Sequence, residues 1–247
     1  MNTGQDKAII VGATSGIGRE VAMQLLNEGW TLGICGRREE RLEEIRMQYP
    51  GKVFTQVLDI TSDDAPTKLM GLVERMGGIN LYFHVAGIGF MNKELDIDKE
   101  ARTADTNVKG FIQMMDTMFR YFEDNPGIRG HMACVSSIAG TKGLGAAPAY
   151  SASKRYCSNY MEALEQLARM KGMKTTFTDI RPGFVDTDLL NGDYKYPMMM
   201  MDPKKVAATI VKSLKRKRHV VIIDWKYRIV VFLWRLIPRC IWVRMRV

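Results

Sequence analysis

Tyr150 and Lys154 stand four residues apart, the separation that puts two side chains on one face of a helix. Residues 146–167 around them read as one helix, because Tyr156, Tyr160, Met161, Leu164 and Leu167 recur mostly at three- and four-residue steps. An ammonium would then lie close to a phenol. A free phenol releases its proton near pH ~10, and a neighbouring cation favours the phenolate. Carrying a phenol to neutrality takes roughly 4 kcal/mol of differential stabilisation. One ammonium in a water-poor site, helped by a cationic cofactor ring, can supply that. The pair would then give or take a proton at neutral pH. Tyr and Lys at this spacing are also common on solvated helices, so the weight of the argument lies upstream.

The upstream elements are those of a phosphate site. Lys7–Val11 is a short apolar run of the kind that forms a buried parallel strand. Gly12, Ala13, Thr14, Ser15, Gly16, Ile17 and Gly18 follow, and then a helical pattern through Val21, Met23, Leu25 and Leu26. Glycines let the backbone approach a pyrophosphate, and the helix N-terminus offers unpaired N–H groups. A second strand over 31–35 ends at Gly36, Arg37 and Arg38, with no acid before Glu39. An acid there would hold the 2′-hydroxyl of NAD, whereas arginine accommodates the 2′-phosphate of NADP. NADP is therefore expected, with NAD less favoured, Arg37 taking the 2′-phosphate with Ser15 and Arg38 assisting.

Further strands are expected over 53–58, 79–85, 130–135, 175–180 and 220–223, alternating with helices that include 103–122. This is an α/β chain with a doubly wound, Rossmann-type sheet of about seven parallel strands and helices on both faces. Ligands in such sheets bind beyond the carboxyl ends of the strands. Gly12, Arg37, Asp59, Gly87, Ser137 and Pro182 all fall there. Residues 1–225 read as a single domain, with 226–247 as a tail rather than a second domain.

Composition bounds the rest. The chain of 247 residues is 46% hydrophobic, ample for a core. Cys35, Cys134, Cys157 and Cys240 form no CxxC pair, and three histidines without clustered ligands argue against a metal. That usage fits a reducing, cytoplasmic setting. The polar start, Met1 to Lys7, is too short for a signal peptide. The net charge of +9 belongs to the end of the chain: from Lys212 to Val247 eleven bases accompany one acid, Asp224, while the remainder is close to neutral.

From Lys7 to about Ile223 the sequence resembles the short-chain dehydrogenase/reductase family. The resemblance rests on Gly12–Gly18, Asn107, Ser137, Tyr150 with Lys154, and Pro182-Gly183, in order and at family spacing. One departure is His84-Val85-Ala86-Gly87 where the family has Asn-Asn-Ala-Gly. The resemblance implies that Tyr150 protonates a carbonyl as hydride arrives and that Ser137 hydrogen-bonds the developing oxyanion. It implies that Lys154 supports the tyrosine and holds the nicotinamide ribose, and that Asn107 positions a water. Gly12, Thr14, Ser15, Gly16, Ile17, Gly18, Arg37, Arg38, Asp59, Ile60, Ala86 and Gly87 would line the cofactor. Pro182, Gly183, Val185 and Thr187 would border its nicotinamide end. A homodimer or homotetramer through the helices 103–122 and 146–167 is implied as well.

Residues 188–202 occupy the family's substrate lid and carry Leu189, Leu190, Tyr194, Tyr196 and four methionines at 198–201. Flexible methionines suit irregular apolar ligands. Gly143, Gly145, Ala146 and Ala147 leave room beside Ser137. The expected substrate is a small hydrophobic ketone or secondary alcohol: 3-oxoacyl, 3-ketosphinganine-like or sterol-like. In the tail, Arg228, Arg235, Arg239 and Arg246 follow steps of seven, four and seven residues, one stripe if a helix continues through Pro238. With Trp234, Trp242 and aliphatic residues, this describes a helix lying in a membrane interface. Nucleic acid is not expected, since phosphate contacts need no such aliphatic surface. The alternative to an enzyme is a catalytically idle nucleotide sensor or scaffold on the same fold.

Overall fold

A computed structural model describes residues 6–187 and 199–245. Its strands are β1 (Lys7–Val11), β2 (Thr31–Gly36), β3 (Val53–Val57), β4 (Leu81–His84), β5 (His131–Val135), β6 (Thr176–Arg181) and β7 (Val220–Ile222). They form one sheet in the order β3-β2-β1-β4-β5-β6-β7, every pair parallel. The chain order reverses between β1 and β4, which opens a crevice beyond their carboxyl ends.

The helices are α1 (Gly16–Asn27), α2 (Glu39–Gln48), α3 (Ala65–Arg75), α4 (Ile97–Ala104), α5 (Phe111–Asp124), α6 (Pro148–Met170), α7 (Pro203–Lys215), α8 (Trp225–Leu236) and α9 (Arg239–Trp242). Strand pleating sends alternate side chains to opposite faces. Ala8 and Ile10 therefore join a core with α1, α2 and α7. Ile9 and Val11 join one with α3, α5 and α6. Both faces are covered, which is why the strands read as unbroken apolar runs.

Two departures from the sequence reading bear on the site. The helix expected over 103–122 is not uniform: α4 runs into a π-helical turn, Asp105–Gly110, before α5 begins. Asn107 lies inside that turn. The apolar spacing read over 103–122 does not report this turn, in which Asn107 is bonded to Ile88 and Ser153 from elsewhere in the chain.

The tail departs further. The helix ends at Leu236, Ile237 is extended, and Pro238 starts a new short helix. Proline removes the N–H and clashes with the preceding turn, so the arginine stripe is broken at Arg239. Nor is the tail's apolar surface all on one side. Tyr227 and Val231 are buried against Ile138, Phe184, Met199, Met201 and Ile222. Trp242 is buried too, and its ring meets Trp234 edge-on. The indole Nε1 of Trp242 donates to the Gly143 carbonyl at 2.8 Å, and Lys142 Nζ donates to the Ile237 carbonyl at 2.8 Å, closing the end of α8. The turn into α8 passes through Asp224 at φ 70°, unusual for a non-glycine residue. Its carboxylate caps the helix by accepting from Lys226 N at 2.9 Å. No helix among the described residues is long and apolar enough to cross a membrane.

Candidate active site

The crevice floor is made of backbone. Gly12 follows β1 with φ 94°, and a Cβ there would lie 2.7 Å from Ala86 N. A Cβ on Gly18 would lie 2.1 Å from the Gly12 carbonyl oxygen. Only glycine permits this closeness, and it leaves the α1 N-terminus open at the strand ends. Gly16 is also left-handed, and the Thr187 side chain sits 3.1 Å from where its Cβ would be. Thr187 thus lies against the glycine turn. Ile17 packs on the α1 side of the core, and Ala86 packs against the opposite cluster.

The arginines divide. Arg38 is half-buried, and its Nη2 donates to Thr14 Oγ1 at 2.9 Å and to Ser15 Oγ at 2.7 Å. Arg37 is exposed and faces Asp59 electrostatically. Burial pushes the Asp59 carboxyl up, but hydrogen bonds from Thr61 and the Arg37 charge outweigh it and hold the group below its usual value. The sequence reading put Arg37 first and Arg38 as its assistant; the geometry ties Arg38 to the glycine turn. Ile60 is buried against Gly110, where it supports the start of α5.

The residues of possible chemistry converge beyond β4 and β5. Lys154 is buried, with its Nζ donating to the Val135 carbonyl at 3.0 Å and lying 5.8 Å from the Tyr150 ring centroid. The two therefore share a face of α6. Pro148 opens that helix, and the Glu100 carboxylate accepts from Ala149 N at 2.9 Å, so the turn carrying Tyr150 is anchored to α4. A Cβ on Gly87 would lie 3.2 Å from Lys154 Nζ and 3.1 Å from Asn107 Oδ1. Gly87 thus joins the crevice to both. A Cβ on Gly89 would lie 2.6 Å from the Tyr150 ring.

Asn107 is held by three hydrogen bonds to two residues. Its Oδ1 accepts from Ile88 N at 2.8 Å, and its Nδ2 donates to the Ile88 carbonyl at 2.7 Å and to Ser153 Oγ at 3.0 Å. Ser153 Oγ in turn donates to the Tyr150 carbonyl at 2.9 Å. Ser137 ends β5. Its Oγ accepts from Ala139 N at 3.1 Å and donates to the Pro182 carbonyl at 3.4 Å. The short turn that follows, Ile138–Thr141, rests on α6: a Cβ on Gly140 would lie 2.8 Å from the Lys154 carbonyl carbon. Ser137 is thereby fixed relative to Tyr150 and Lys154.

On the far side, Val185 pairs with Met201 and Asp186 N donates to the Met201 carbonyl at 3.1 Å. The ring of Tyr227 lies so close to Gly183 that a Cβ there would meet it at 2.2 Å. Residues 188–198 of the expected lid, with Leu189, Leu190, Tyr194, Tyr196 and Met198, lie outside the described residues.

A profile of the short chain dehydrogenase family matches residues 6–195. The chain belongs to the short-chain dehydrogenase/reductase family. It is an NAD(P)-dependent enzyme of that type. It is similar to an uncharacterised oxidoreductase of Myxococcus xanthus, 31% identical over 238 residues, covering 94% of this chain and 92% of that protein. An uncharacterised oxidoreductase of Staphylococcus saprophyticus is 31% identical, with 87% and 94% covered. In fold, it is similar to a short chain dehydrogenase from Burkholderia cenocepacia solved in complex with NADP, at TM-score 0.82 and 19% identity over 99% and 98% of the two chains.

Within that family frame, sequence reasoning missed Ser153, Glu100, Gly89 and Tyr227. Ser153 was within the Tyr150–Lys154 stretch, but its two partners are 46 residues upstream and one helical turn back. His84 was noted only as a departure. It is buried, its Nδ1 is 2.9 Å from the Tyr82 hydroxyl, and its Nε2 has no hydrogen-bond partner among the described residues. Burial first, and the Lys154 charge second, hold its pKa down at about 3.

Proposed function

We propose that the chain reduces a hydrophobic ketone, or oxidises the corresponding secondary alcohol, with NADP(H). The observation that carries this is the shared face of Tyr150 and Lys154, with Ser137 fixed against the same helix. Tyr150 gives its proton to the substrate oxygen in reduction and takes it back in oxidation. Ser137 donates to that oxygen as charge gathers on it, giving up its long bond to Pro182. The buried Lys154 ammonium stabilises the phenolate that remains. Asn107, held by Ile88 and Ser153, keeps the polar path behind Lys154 in register.

The residues present fit a dinucleotide. Gly12, Gly16 and Gly18 make the close-approach turn, Thr14 and Ser15 border it, and Arg38 offers a guanidinium fork to a 2′-phosphate. Asp59, Ile60, Ala86 and Gly87 form the wall toward the adenosine and ribose. Pro182, Gly183, Val185 and Thr187 border the nicotinamide end. When bound, the nicotinamide supplies or accepts the hydride. The NADP of the Burkholderia relative favours the same preference here.

An apolar substrate is supported by the methionines and other apolar residues of the expected lid and by the small Gly143, Gly145, Ala146 and Ala147 near Ser137. Peripheral contact with the cytoplasmic membrane face through 226–247 is supported by the outer side of the tail. Trp225, Ile229, Phe232, Leu233 and Leu236 are exposed there, interleaved with Lys226, Arg228 and Arg235. Each base near an anionic surface contributes about 1 kcal/mol, screened by salt. We infer a homodimer or homotetramer built through α5 and α6.

The test is NADPH oxidation against a graded panel of ketones, beside co-sedimentation with anionic and neutral liposomes. Turnover rising with chain length supports the reading. No turnover on any carbonyl, with NADPH still bound, favours the idle nucleotide sensor. A protein left in solution by anionic liposomes at low salt removes the membrane contact.

A further inference from the structure

The tail helix does something inward that its sequence pattern does not announce. Tyr227 is 2% exposed, and its ring lies flat on Gly183. Its hydroxyl accepts from Phe184 N at 3.1 Å and donates to the Met199 carbonyl at 2.6 Å. Phe184 and Met199 belong to two short segments that pair with each other. Met201 N donates to the Phe184 carbonyl at 3.0 Å, and Asp186 N donates to the Met201 carbonyl at 3.1 Å. The tyrosine hydroxyl thus supplies the next rung of that small ladder. The same segment carries Thr187 to the side of Gly16, so its position is shared by both ends of the cofactor crevice.

We infer that Tyr227 is a positioning residue for dinucleotide binding, holding the Gly183–Thr187 segment against the crevice from outside it. This rests on the nicotinamide reading of that segment. The physical argument is one of preorganisation. Without the hydroxyl, the Phe184 N–H and the Met199 carbonyl lose a buried partner. The segment must then be ordered when the cofactor arrives, and binding bears that cost.

Tyr227→Phe keeps the ring on Gly183 and removes only the bridging oxygen. Val231→Ala, one turn along the same buried face, is the control for mere packing. The full-length proteins are compared by amide hydrogen exchange without cofactor, by NADPH titration and by melting temperature. For Tyr227→Phe the expected result is faster exchange at Phe184 and an NADPH Kd raised about fivefold to tenfold, the size set by one or two lost hydrogen bonds. Turnover at saturating NADPH should stay within about twofold, since the segment does not touch the reacting proton. For Val231→Ala the expected result is a lower melting temperature with NADPH affinity kept. Wild-type binding with an unchanged Kd in Tyr227→Phe overturns this role and leaves the nicotinamide reading intact. Equal affinity losses in the two variants also overturn it, because packing alone would then explain both. A wild type that binds no nicotinamide nucleotide overturns the reading of the site and this role with it.

Discussion

The two sides of the crevice are built differently. The side we assign to the phosphates consists of backbone packed on backbone: Gly12 on Ala86 and Gly18 on Gly12, with Gly16 beside the Thr187 side chain. Apart from Thr187, its parts are local turns at the ends of neighbouring strands. The side we assign to the nicotinamide is held by side chains from distant segments: Tyr227 on Gly183 and Phe184, Trp242 on Gly143, and Lys142 on Ile237. A backbone turn tolerates almost no substitution but needs no outside help. A side-chain clamp accepts small changes and fails when its supporting helix is removed.

The largest effect should come from breaking the first side. Gly18→Ala puts a methyl 2.1 Å from the Gly12 carbonyl oxygen. It should weaken NADPH binding by more than about 100-fold, or prevent folding, as forced overlaps of backbone do. Gly143→Ala is the counterpart on the second side: nothing among the described residues lies within 4 Å of where its Cβ would be, and titration should show NADPH affinity unchanged. Loss at Gly143 equal to that at Gly18 would erase the contrast.

Removing residues 226–247 tests the clamp as a whole. Tyr227, Val231 and Trp242 each bury a side chain, worth roughly 1.5–3 kcal/mol apiece. We expect a stability loss of about 5 kcal/mol and a melting temperature lower by about 10–20 °C, with the strand-built phosphate side still folded by circular dichroism. An unchanged melting temperature would show that the tail is an appendage.

The packed inner face of the tail goes beyond the sequence reading, and the reason is physical. The glycine turn and the Tyr150–Lys154 pair were legible because each is tied to a strand end or a helical repeat that the sequence states locally, whereas Ser137 and Asn107 were singled out by the family resemblance. Every strand was found within about two residues of its ends, since buried parallel strands are continuous apolar runs. The π turn around Asn107 and the hold of Ser153 on it were not legible, because they depend on contacts between distant helices. In the tail, periodicity alone could not say which of two apolar stripes turns inward. Tyr227, Val231 and Trp242 took the core, leaving Ile229, Phe232 and Leu233 outside.

Arg38→Ala sharpens the cofactor assignment. Its guanidinium is fixed by Thr14 and Ser15, and a charged hydrogen bond to phosphate is worth about 1.5–3 kcal/mol. NADPH affinity should fall about 10- to 100-fold, with NADH affinity kept. Arg37→Ala should cost less, because Arg37 is exposed. The reverse order would return the assignment to Arg37.

A further effect is shared by two buried histidines. Burial holds His84 at about 3 and His131 at about 4. The unfolded chain takes up these protons near pH ~6.5, while the folded chain does not until lower pH. Stability should therefore be full above pH ~6.5 and fall as pH drops toward 4, by about 1.4 kcal/mol per pH unit for each histidine. Melting curves at pH 7.5, 6.5 and 5.5 check this, and a flat series would show the rings protonated or solvated in the fold.

The central claim is that Tyr150 is the proton donor of a nicotinamide-dependent carbonyl reduction. Its most direct test is Tyr150→Phe, with single-turnover reduction and NADPH affinity measured on the same preparation. The ring keeps its place beside Gly89, so NADPH Kd should stay within about threefold while the reduction rate falls by more than about 100-fold, some 2.7 kcal/mol of barrier. Retention of more than about a tenth of the rate, within 1.4 kcal/mol, would contradict the assignment.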